Sequence, residues 1–308
     1  MFHVKQPEKA SPKDTFGMDT PLARELADLS ARRRVLESVA IDFSGETRIL
    51  TVSNQKGGVG KTTSAVNVAA ALAGLGAKVL VIDLDPQGNA STALGVPHNA
   101  DTPSVYDVLI EDFPLADIIQ QSPEDENLFC APSTIHLAGA EIELVAQVAR
   151  EHRLRRAVEE YLVDNRMDFV IIDCPPSLGL LTINAFTAAN EVFIPIQCEY
   201  YALEGLSQLL GSIQMIQKHL NPGLHLSTIL LTMFDGRTRL AQQVADEVRT
   251  HFPEQVLDTV IPRSVRVSEA PSFGQTVIAY DGQSAGAVAY REAAVEIASR
   301  KTTQSKEK

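Results

Sequence analysis

The amino-acid sequence predicts an α/β fold in which a doubly wound, mostly parallel sheet carries helices on both faces. Short runs rich in valine and isoleucine, the pattern of strands buried on both sides, alternate with longer segments of helical periodicity. Several of these runs end in an aspartate or lead into a glycine-rich turn. Strands that end in this way typically face the ligand crevice of an open parallel sheet.

The order of the predicted elements supports this fold class. Predicted strands lie at residues 49–52, 78–83, 128–131, 169–173, 191–196, 226–232 and 256–260. Predicted helices lie at residues 64–75, 106–110, 141–163 (one or two helices), 180–189, 205–220, 239–251 and 284–300.

The chain is predicted to have three parts. Residues 1–47 form a mobile extension with a possible helix at 20–40, residues 48–300 form the α/β domain, and residues 301–308 form a polar tail. Thr20 followed by Pro21 predicts the start of the extra helix, because proline is favoured at the first helical position. That helix, which contains three consecutive arginines, could dock or fray, or could be a basic arm for nucleic acid, a membrane surface or a partner.

Composition indicates an acidic protein with a sizeable core. Hydrophobic residues make up 44% of the 308 residues, and the net charge is −12, so any contact with nucleic acid needs a local basic patch. Cys130, Cys174 and Cys198 lack metal-ligand spacing and are expected to be small buried side chains in a reduced, cytoplasmic setting. The sequence shows no signal segment, and its uncharged stretches are too interrupted to predict a membrane span.

A glycine-rich loop at residues 53–63, SNQKGGVGKTT, follows the first predicted strand and leads into the first helix of the domain. This is the setting of a phosphate-binding loop. The glycines allow successive N–H groups to point inward, and the helix start adds unpaired donors and a positive dipole end. Lys61 is suited to the terminal phosphates of a nucleotide, and the Thr62 hydroxyl is suited to Mg²⁺.

Three aspartates follow predicted strands. Asp83 and Asp85 close the second strand, and Asp173 closes the strand at 169–173. Because the carboxyl ends of parallel strands share one edge of the sheet, these carboxylates are expected near the phosphate loop. Asp173 fits the position of an aspartate that holds Mg²⁺ through water.

Four motifs carry a family resemblance that covers roughly residues 48–300. The plain pattern G-x-x-x-x-G-K-[ST] needs glycine at position 55, where this chain has Gln55, and Lys56 adds a second lysine. The string KGGVGKTT resembles the deviant phosphate loop, or deviant Walker motif, of the ParA/MinD family of ATPases. The strings DPQ at 85–87, DCPP at 173–176 and IPRSVRVSEAP at 261–271 resemble the ParA/Soj branch, which partitions chromosomes or plasmids.

The resemblance implies a P-loop NTPase that hydrolyses ATP with Mg²⁺, and it implies roles for individual residues. Lys56 would reach the nucleotide of the partner subunit, and Asp85 would polarise the attacking water; these two are the implied catalytic residues. The implied Mg²⁺ set is Thr62, Asp83 and Asp173. The implied nucleotide-binding set is Lys56, Gly57, Gly58, Val59, Gly60, Lys61, Thr62 and Thr63, with Pro262 and Ser264 beside the adenine. The family usually has asparagine at position 264, and the serine here is shorter.

The resemblance further implies a cycle. Two subunits would close over two ATP molecules, the homodimer would bind DNA without sequence preference, and hydrolysis, stimulated by a ParB-type centromere-binding partner, would release it. Arg237 and Arg266, both expected in loops, are the implied DNA contacts. The protein would be cytoplasmic and nucleoid-associated, with no stable membrane association.

Two alternatives use the same fold. One is a MinD-like ATPase that cycles on membranes to position division, although the last seven residues, TTQSKEK, have no apolar face. The other is a metabolic enzyme, either a nitrogenase-reductase-like electron carrier or a small-molecule ligase. The electron carrier needs paired cysteines for a cluster, and Cys174 is poorly placed for one.

Overall fold

A computed structural model describes residues 20–200 and 202–300 of the protein. The chain divides into two compact units, Met1–Ser38 and Val39–Lys308. In the first unit, helix α1 (Pro21–Glu37) begins after Thr20, whose side chain accepts a hydrogen bond from the Ala23 N–H at 3.2 Å. Residues 1–19 of the predicted extension and the predicted tail at 301–308 lie outside the described residues, and the predicted domain bounds stay predictions.

The second unit contains one eight-stranded sheet, which confirms the predicted fold class. The strand order is β3-β4-β2-β5-β1-β6-β7-β8, and every neighbouring pair is parallel except β3 with β4. The strands are β1 (Arg48–Val52), β2 (Val79–Asp83), β3 (Gln120–Gln121), β4 (Leu128–Ala131), β5 (Phe169–Asp173), β6 (Glu191–Gln197), β7 (His225–Phe234) and β8 (Val256–Pro262).

Helices cover both faces of this sheet. They are α2 (Lys61–Gly74), α3 (Asn89–Ala93), α4 (Val105–Ile110), α5 (Leu137–Leu144), α6 (Arg153–Asp164), α7 (Leu180–Ala188), α8 (Ala202–His219), α9 (Arg239–His251), α10 (Val265–Glu269), α11 (Val277–Tyr280) and α12 (Ala285–Ser299).

Alternation along the strands assigns their side chains to two layers. In β2, Val79 and Val81 pack with α2 and α12, whereas Leu80 and Ile82 pack with α4 to α7 on the other face. All five residues of β2 and of β5 are buried. Continuous apolar runs are therefore needed in these strands, and such runs made them recognisable in the sequence.

The chain reverses its direction of winding beside β1. It leaves β1 for β2 on one side, returns to β5, and then crosses to β6 on the other side, so that β5 and β6 flank β1. In sheets of this kind the ligand crevice lies outside the carboxyl ends of the strands at such a point. The loop after β1 is therefore at the position where a ligand is expected.

Several short elements were not predicted. These are α3, the edge strand β3, and the helices α10 and α11, each of five residues or fewer. The segment 141–163 forms two separate helices, as one of the two options proposed. The cluster of Arg153, Arg155 and Arg156 in α6 is more typical, by sequence, of a solvated face than of a site. For Arg153 that interpretation is wrong, because its guanidinium is buried and pairs with Asp112 at 2.7 Å.

The three cysteines are buried and free, as expected. Burial raises the pKa of the Cys174 thiol to about 12 and that of the Cys198 thiol to about 11. The pKa of Cys130 is also raised, again mainly by burial. Within 20–200 and 202–300, no helix is long and apolar enough to cross a bilayer, and no group of three or more histidine, cysteine, aspartate or glutamate side chains is arranged to hold a metal ion.

A buried ion pair joins the amino ends of β1 and β6. The Arg48 guanidinium donates to both oxygens of Glu191 at 2.6 and 2.7 Å, and to the Ile297 carbonyl of α12. It also lies over the Phe169 ring, 5.3 Å from the centroid. The pair thus joins two strands and the last helix at the edge of the sheet opposite the phosphate loop.

Glu191→Ala is expected to lower the free energy of unfolding by about 3–5 kcal/mol, because it leaves the Arg48 guanidinium buried without its carboxylate. Urea denaturation measures this loss. The matched control is Arg155→Ala, which breaks an exposed pair with Glu159 and should cost about 0.5 kcal/mol or less. Equal losses in the two variants would contradict a structural role for the buried pair.

Candidate nucleotide and magnesium site

The phosphate loop is curled by two glycines in the left-handed region of backbone conformation. Gly58 has φ of 74° and Gly60 has φ of 87°, values that side chains with a Cβ rarely adopt. Gly60 is the N-cap of α2, and its carbonyl accepts a hydrogen bond from the Ser64 N–H at 2.8 Å. The loop therefore delivers its backbone directly into the start of a fourteen-residue helix, as an anion site requires.

Hydrogen bonds from side chains inside and outside the phosphate loop stabilise its curled conformation. Asn54 accepts a hydrogen bond from the Lys56 N–H at 3.0 Å and donates to the Pro195 carbonyl of β6 at 2.8 Å. The Thr232 hydroxyl, near the end of β7, donates to the Val59 carbonyl at 2.8 Å. The loop is thus fixed to β6 and β7, two of the three strands on one side of β1.

Lys61 stands buried at the start of α2. Its side chain donates to the Lys56 carbonyl at 3.3 Å, so the ammonium lies over the loop. Burial lowers the pKa of Lys61, while the charges of Asp173 and Asp85 oppose that shift. A lysine placed in this way supplies a positive charge inside the loop that a phosphate would neutralise.

Asp83 and Asp173 are register neighbours on β2 and β5, and both are fully buried. Asp83 accepts hydrogen bonds from the Ser91 N–H at 2.8 Å and the Ser91 hydroxyl at 2.7 Å. Burial nevertheless raises the pKa of Asp83 to about 6, against the effect of these bonds. The two hydrogen bonds from Ser91 therefore offset only part of the cost of burying the Asp83 charge.

Asp173 is the least compensated group at this edge. Neither of its carboxylate oxygens has a hydrogen-bond partner among the described residues. Burial and the neighbouring Asp83 charge raise its pKa well above the usual range, and the Thr62 hydroxyl and the Lys61 ammonium offset only part of that shift. Unpaired oxygens of this kind, beside a hydroxyl, are the ligands that Mg²⁺ prefers, so these residues fit the ion.

Asp85 occupies the turn between β2 and α3. Its carboxylate accepts a hydrogen bond from the Gln87 N–H at 3.0 Å, and its carbonyl accepts one from the Gly88 N–H at 2.9 Å. The side chain is half-buried and close enough to Lys61 to affect the pKa of that lysine. The structure thus brings Lys61, Thr62, Asp83, Asp85 and Asp173 to one place.

Lys56 differs from Lys61 because it is exposed. Its ammonium pairs with Glu199, and both side chains are nearly half accessible to solvent. The adjacent Gly57 has open space around it: a Cβ added there would meet no heavy atom within 4 Å. This part of the loop therefore faces outward from the chain.

The remaining predicted site residues lie after β7 and β8. Pro262 ends β8, and Ser264 is the N-cap of α10, both half-buried at the same edge of the sheet as the loop. Arg237 lies in a turn and pairs with Asp235 at 2.9 Å. The expectation that Arg266 lies in a loop is wrong: it is in α10, where it pairs with Glu269 at 3.3 Å and Asp281 at 3.4 Å.

Comparison with known proteins gives consistent results. A family model described as an AAA domain matches residues 47–226. The chain is 55% identical over 251 residues to the sporulation initiation inhibitor protein Soj of Bacillus subtilis, an alignment that spans 82% of this chain and 98% of that one. It is 49% identical to the chromosome partitioning protein ParA of Myxococcus xanthus, over 84% of this chain and 90% of that one.

The chain belongs to the ParA/Soj family of chromosome-partitioning ATPases. Among solved structures, it is similar to a cobyrinic acid a,c-diamide synthase from Mycobacterium smegmatis with bound ADP and magnesium. The TM-score is 0.69 and the identity 40%, over 81% of this chain and 93% of the synthase chain. Identity is therefore higher to the partitioning proteins than to the synthase, and the predicted enzyme class, ATPase, is confirmed.

Three residues that support the site were not predicted from the sequence. Ser91 holds Asp83, Thr232 holds the phosphate loop, and Glu199 pairs with Lys56. Each comes from another part of the chain, and none belongs to the motifs that identified the site. Their roles become visible only when the strands are assembled.

Asp173→Asn is expected to stabilise the protein without nucleotide, increasingly as the pH rises. Because folding raises the pKa of Asp173, the folded wild type gives up stability as the pH increases above the ordinary aspartate pKa, by about 1.4 kcal/mol per pH unit up to the folded pKa. Because asparagine does not ionise, the variant does not lose this stability as the pH rises. Denaturation at pH 5 and pH 8 without Mg²⁺ should show a larger gain for the variant at pH 8.

The control for this comparison is Asp117→Asn, a change at an exposed aspartate, which should move stability by about 0.5 kcal/mol or less at either pH. A gain for Asp173→Asn that does not grow with pH would contradict the assignment of an uncompensated buried carboxylate.

Proposed function

We propose that this partition ATPase acts as a nucleotide-switched homodimer that binds DNA of any sequence and is driven by a ParB-type partner. The observation that carries the proposal is that Lys61 lies close to two buried aspartates, Asp83 and Asp173, beside a curled phosphate loop, and that neither carboxylate oxygen of Asp173 has a hydrogen-bond partner among the described residues. ATP and Mg²⁺ are the cofactors that such a site calls for.

The chain's own residues divide the work of hydrolysis. The loop N–H groups and Lys61 hold the β- and γ-phosphates, and Thr62, Asp83 and Asp173 hold the ion, which when bound neutralises charge on those phosphates. Asp85 orients the attacking water from its turn at the edge of the sheet. Because phosphoryl transfer depends mainly on positioning and charge stabilisation, fixed loops matter more than a strong base.

Dimerisation uses the outward-facing part of the loop. Lys56 and Gly57 are exposed, and the space around Gly57 admits the close approach of a second chain. In the dimer Lys56 exchanges its contact with Glu199 for the nucleotide of the partner subunit. The exchange costs little, because an exposed ion pair contributes about 0–1 kcal/mol.

DNA binding depends on arginines at the same edge of the sheet. Arg237 and Arg266 are exposed, and a DNA phosphate can replace the carboxylates that they contact within the chain. With a net charge of −12, one chain attracts DNA poorly, whereas a dimer presents every arginine twice. Binding that requires the dimer therefore becomes dependent on ATP, as partition along a nucleoid in the cytoplasm requires.

Asp85→Ala is expected to slow ATP turnover by roughly 10²-fold while ATP still binds, which is the scale of losing one group that directs proton transfer. Turnover is followed by phosphate release, and binding by a fluorescent ATP analogue. Asp101→Ala, a change at an exposed aspartate outside the site, is the control. Unchanged turnover in Asp85→Ala would assign the water to Asp83 or Asp173 instead.

Arg266→Ala is expected to flatten the dependence of DNA affinity on salt. Each lost phosphate contact removes about 0.9 from the slope of log affinity against log salt, so a dimer should lose roughly two units. Salt titrations with ATP, with ADP and without nucleotide test this on wild type, Arg266→Ala and the control Arg155→Ala. Equal slopes would remove Arg266 from the DNA surface, and no binding by wild type would remove DNA from the function.

A further inference from the structure

A histidine packs against the turn that carries Asp85. Gly88, at the end of this turn, has φ of 64°, and a Cβ built on it would lie 2.8 Å from Nδ1 and 3.0 Å from Cε1 of His98. The imidazole therefore lies directly against the backbone of the turn. Only glycine suits position 88, because the backbone is left-handed there and because a side chain would overlap the histidine.

His98 is also bonded to α3, the helix that begins at this turn. Its Nε2 and the Thr92 hydroxyl form a hydrogen bond of 2.9 Å. The Thr92 N–H donates to the Gly88 carbonyl at 2.9 Å. His98, Thr92 and Gly88 thus form a closed set of contacts around the end of the Asp85 turn.

The segment that leads to His98 is anchored to the edge of the sheet at β3. The Gln120 side chain donates to the Pro97 carbonyl at 3.0 Å, and the Ser122 hydroxyl donates to the Leu94 carbonyl at 2.8 Å. These two bonds hold the backbone between α3 and His98. The imidazole is therefore presented to Gly88 by a fixed segment, as a positioning contact requires.

The other bonds of the Asp85 turn are local. The Asp85 N–H donates to Asp83 at 3.2 Å, the Gln87 N–H donates to the Asp85 carboxylate, and the Gly88 N–H donates to the Asp85 carbonyl. Bonds within residues 83–88 fix the shape of the turn, whereas His98 meets it from outside and opposes its outward displacement. The Ser133 carbonyl, a second distant neighbour, lies farther away, 3.6 Å from the Cβ position of Gly88.

We infer that His98 is a positioning residue for ATP hydrolysis and acts by holding the Asp85 turn in place. This inference rests on the role proposed for Asp85, which must orient a water molecule. A misplacement of about 1 Å at a reacting centre can cost roughly 10²-fold in rate. The phosphates are held by the phosphate loop and Lys61, on other elements, so a looser turn slows turnover without weakening ATP binding.

The test is His98→Ala, which removes the imidazole from Gly88. We expect phosphate release at saturating ATP to slow about tenfold, less than the loss of Asp85 itself, with affinity for a fluorescent ATP analogue unchanged. His98→Gln should keep most of the turnover, because its amide can still bond the Thr92 hydroxyl. The control is His225→Ala, which removes a half-buried imidazole at the amino end of β7 and should change neither quantity.

A second variant, Thr92→Val, removes only the hydroxyl that orients the imidazole. It should also slow turnover, by less than His98→Ala does, and it tests the inference even where thermal unfolding shows that His98→Ala is destabilised. If turnover in both variants equals that of wild type, or if ATP affinity falls as much as turnover, His98 does not position the turn.

Combined variants decide whether His98 acts through Asp85. If it does, adding His98→Ala to Asp85→Ala should slow turnover no further than Asp85→Ala alone. If Asp85→Ala is slow and His98→Ala slows it again by the same factor as in wild type, only this inference is overturned. If Asp85→Ala hydrolyses ATP as fast as wild type, the proposed role of Asp85 fails, and the inference fails with it.

Discussion

The pairing of β2 with β5 imposes the constraint on which the site depends. Their register sets Asp83 beside Asp173, and the pairing of β5 with β1 sets Asp173 beside Val52, directly before the phosphate loop. Two carboxylates are thereby buried side by side at the end of the sheet, where water cannot compensate them. Lys61, Thr62 and Ser91 lie around the two carboxylates and offset part of their negative charge, and a bound divalent cation would neutralise the rest.

The same arrangement lowers the stability of the protein when no nucleotide or ion is bound. Burial of a carboxylate lowers stability when hydrogen bonds do not fully offset it, and the raised pKa values of Asp83 and Asp173 express that cost. The cost is offset when nucleotide and ion bind, so binding is coupled to the stability of this edge of the sheet. The Arg48–Glu191 pair at the opposite edge shows the contrast, because there a buried charge meets its partner within the chain.

Much of this fold could be predicted from the sequence, for physical reasons. Strands such as Phe169–Asp173 and Leu128–Ala131 were placed at their observed bounds, because strands buried on both faces need unbroken apolar runs. The helices α10 and α11 were missed because four or five residues cannot show a helical period. Arg266 was accordingly assigned to a loop, and the burial of Arg153 depends on Asp112, forty-one positions earlier in the chain.

The residues of the site also fall into those that the sequence predicts and those that it does not. Residues of the phosphate loop are adjacent in sequence, and their spacing alone indicates their chemistry. Ser91, Thr232 and Glu199 reach the site only because the folded sheet brings distant parts of the chain together, and they belong to no sequence motif.

The burial of the three thiols makes this chain a convenient background for labelling. Cys130, Cys174 and Cys198 are inaccessible, and their raised pKa values keep the thiolate scarce at neutral pH. A single cysteine introduced on the surface would therefore be the reactive one among the described residues, with no native cysteine replaced. Spin labels or fluorophores at chosen positions can then report distances between subunits throughout the ATP cycle.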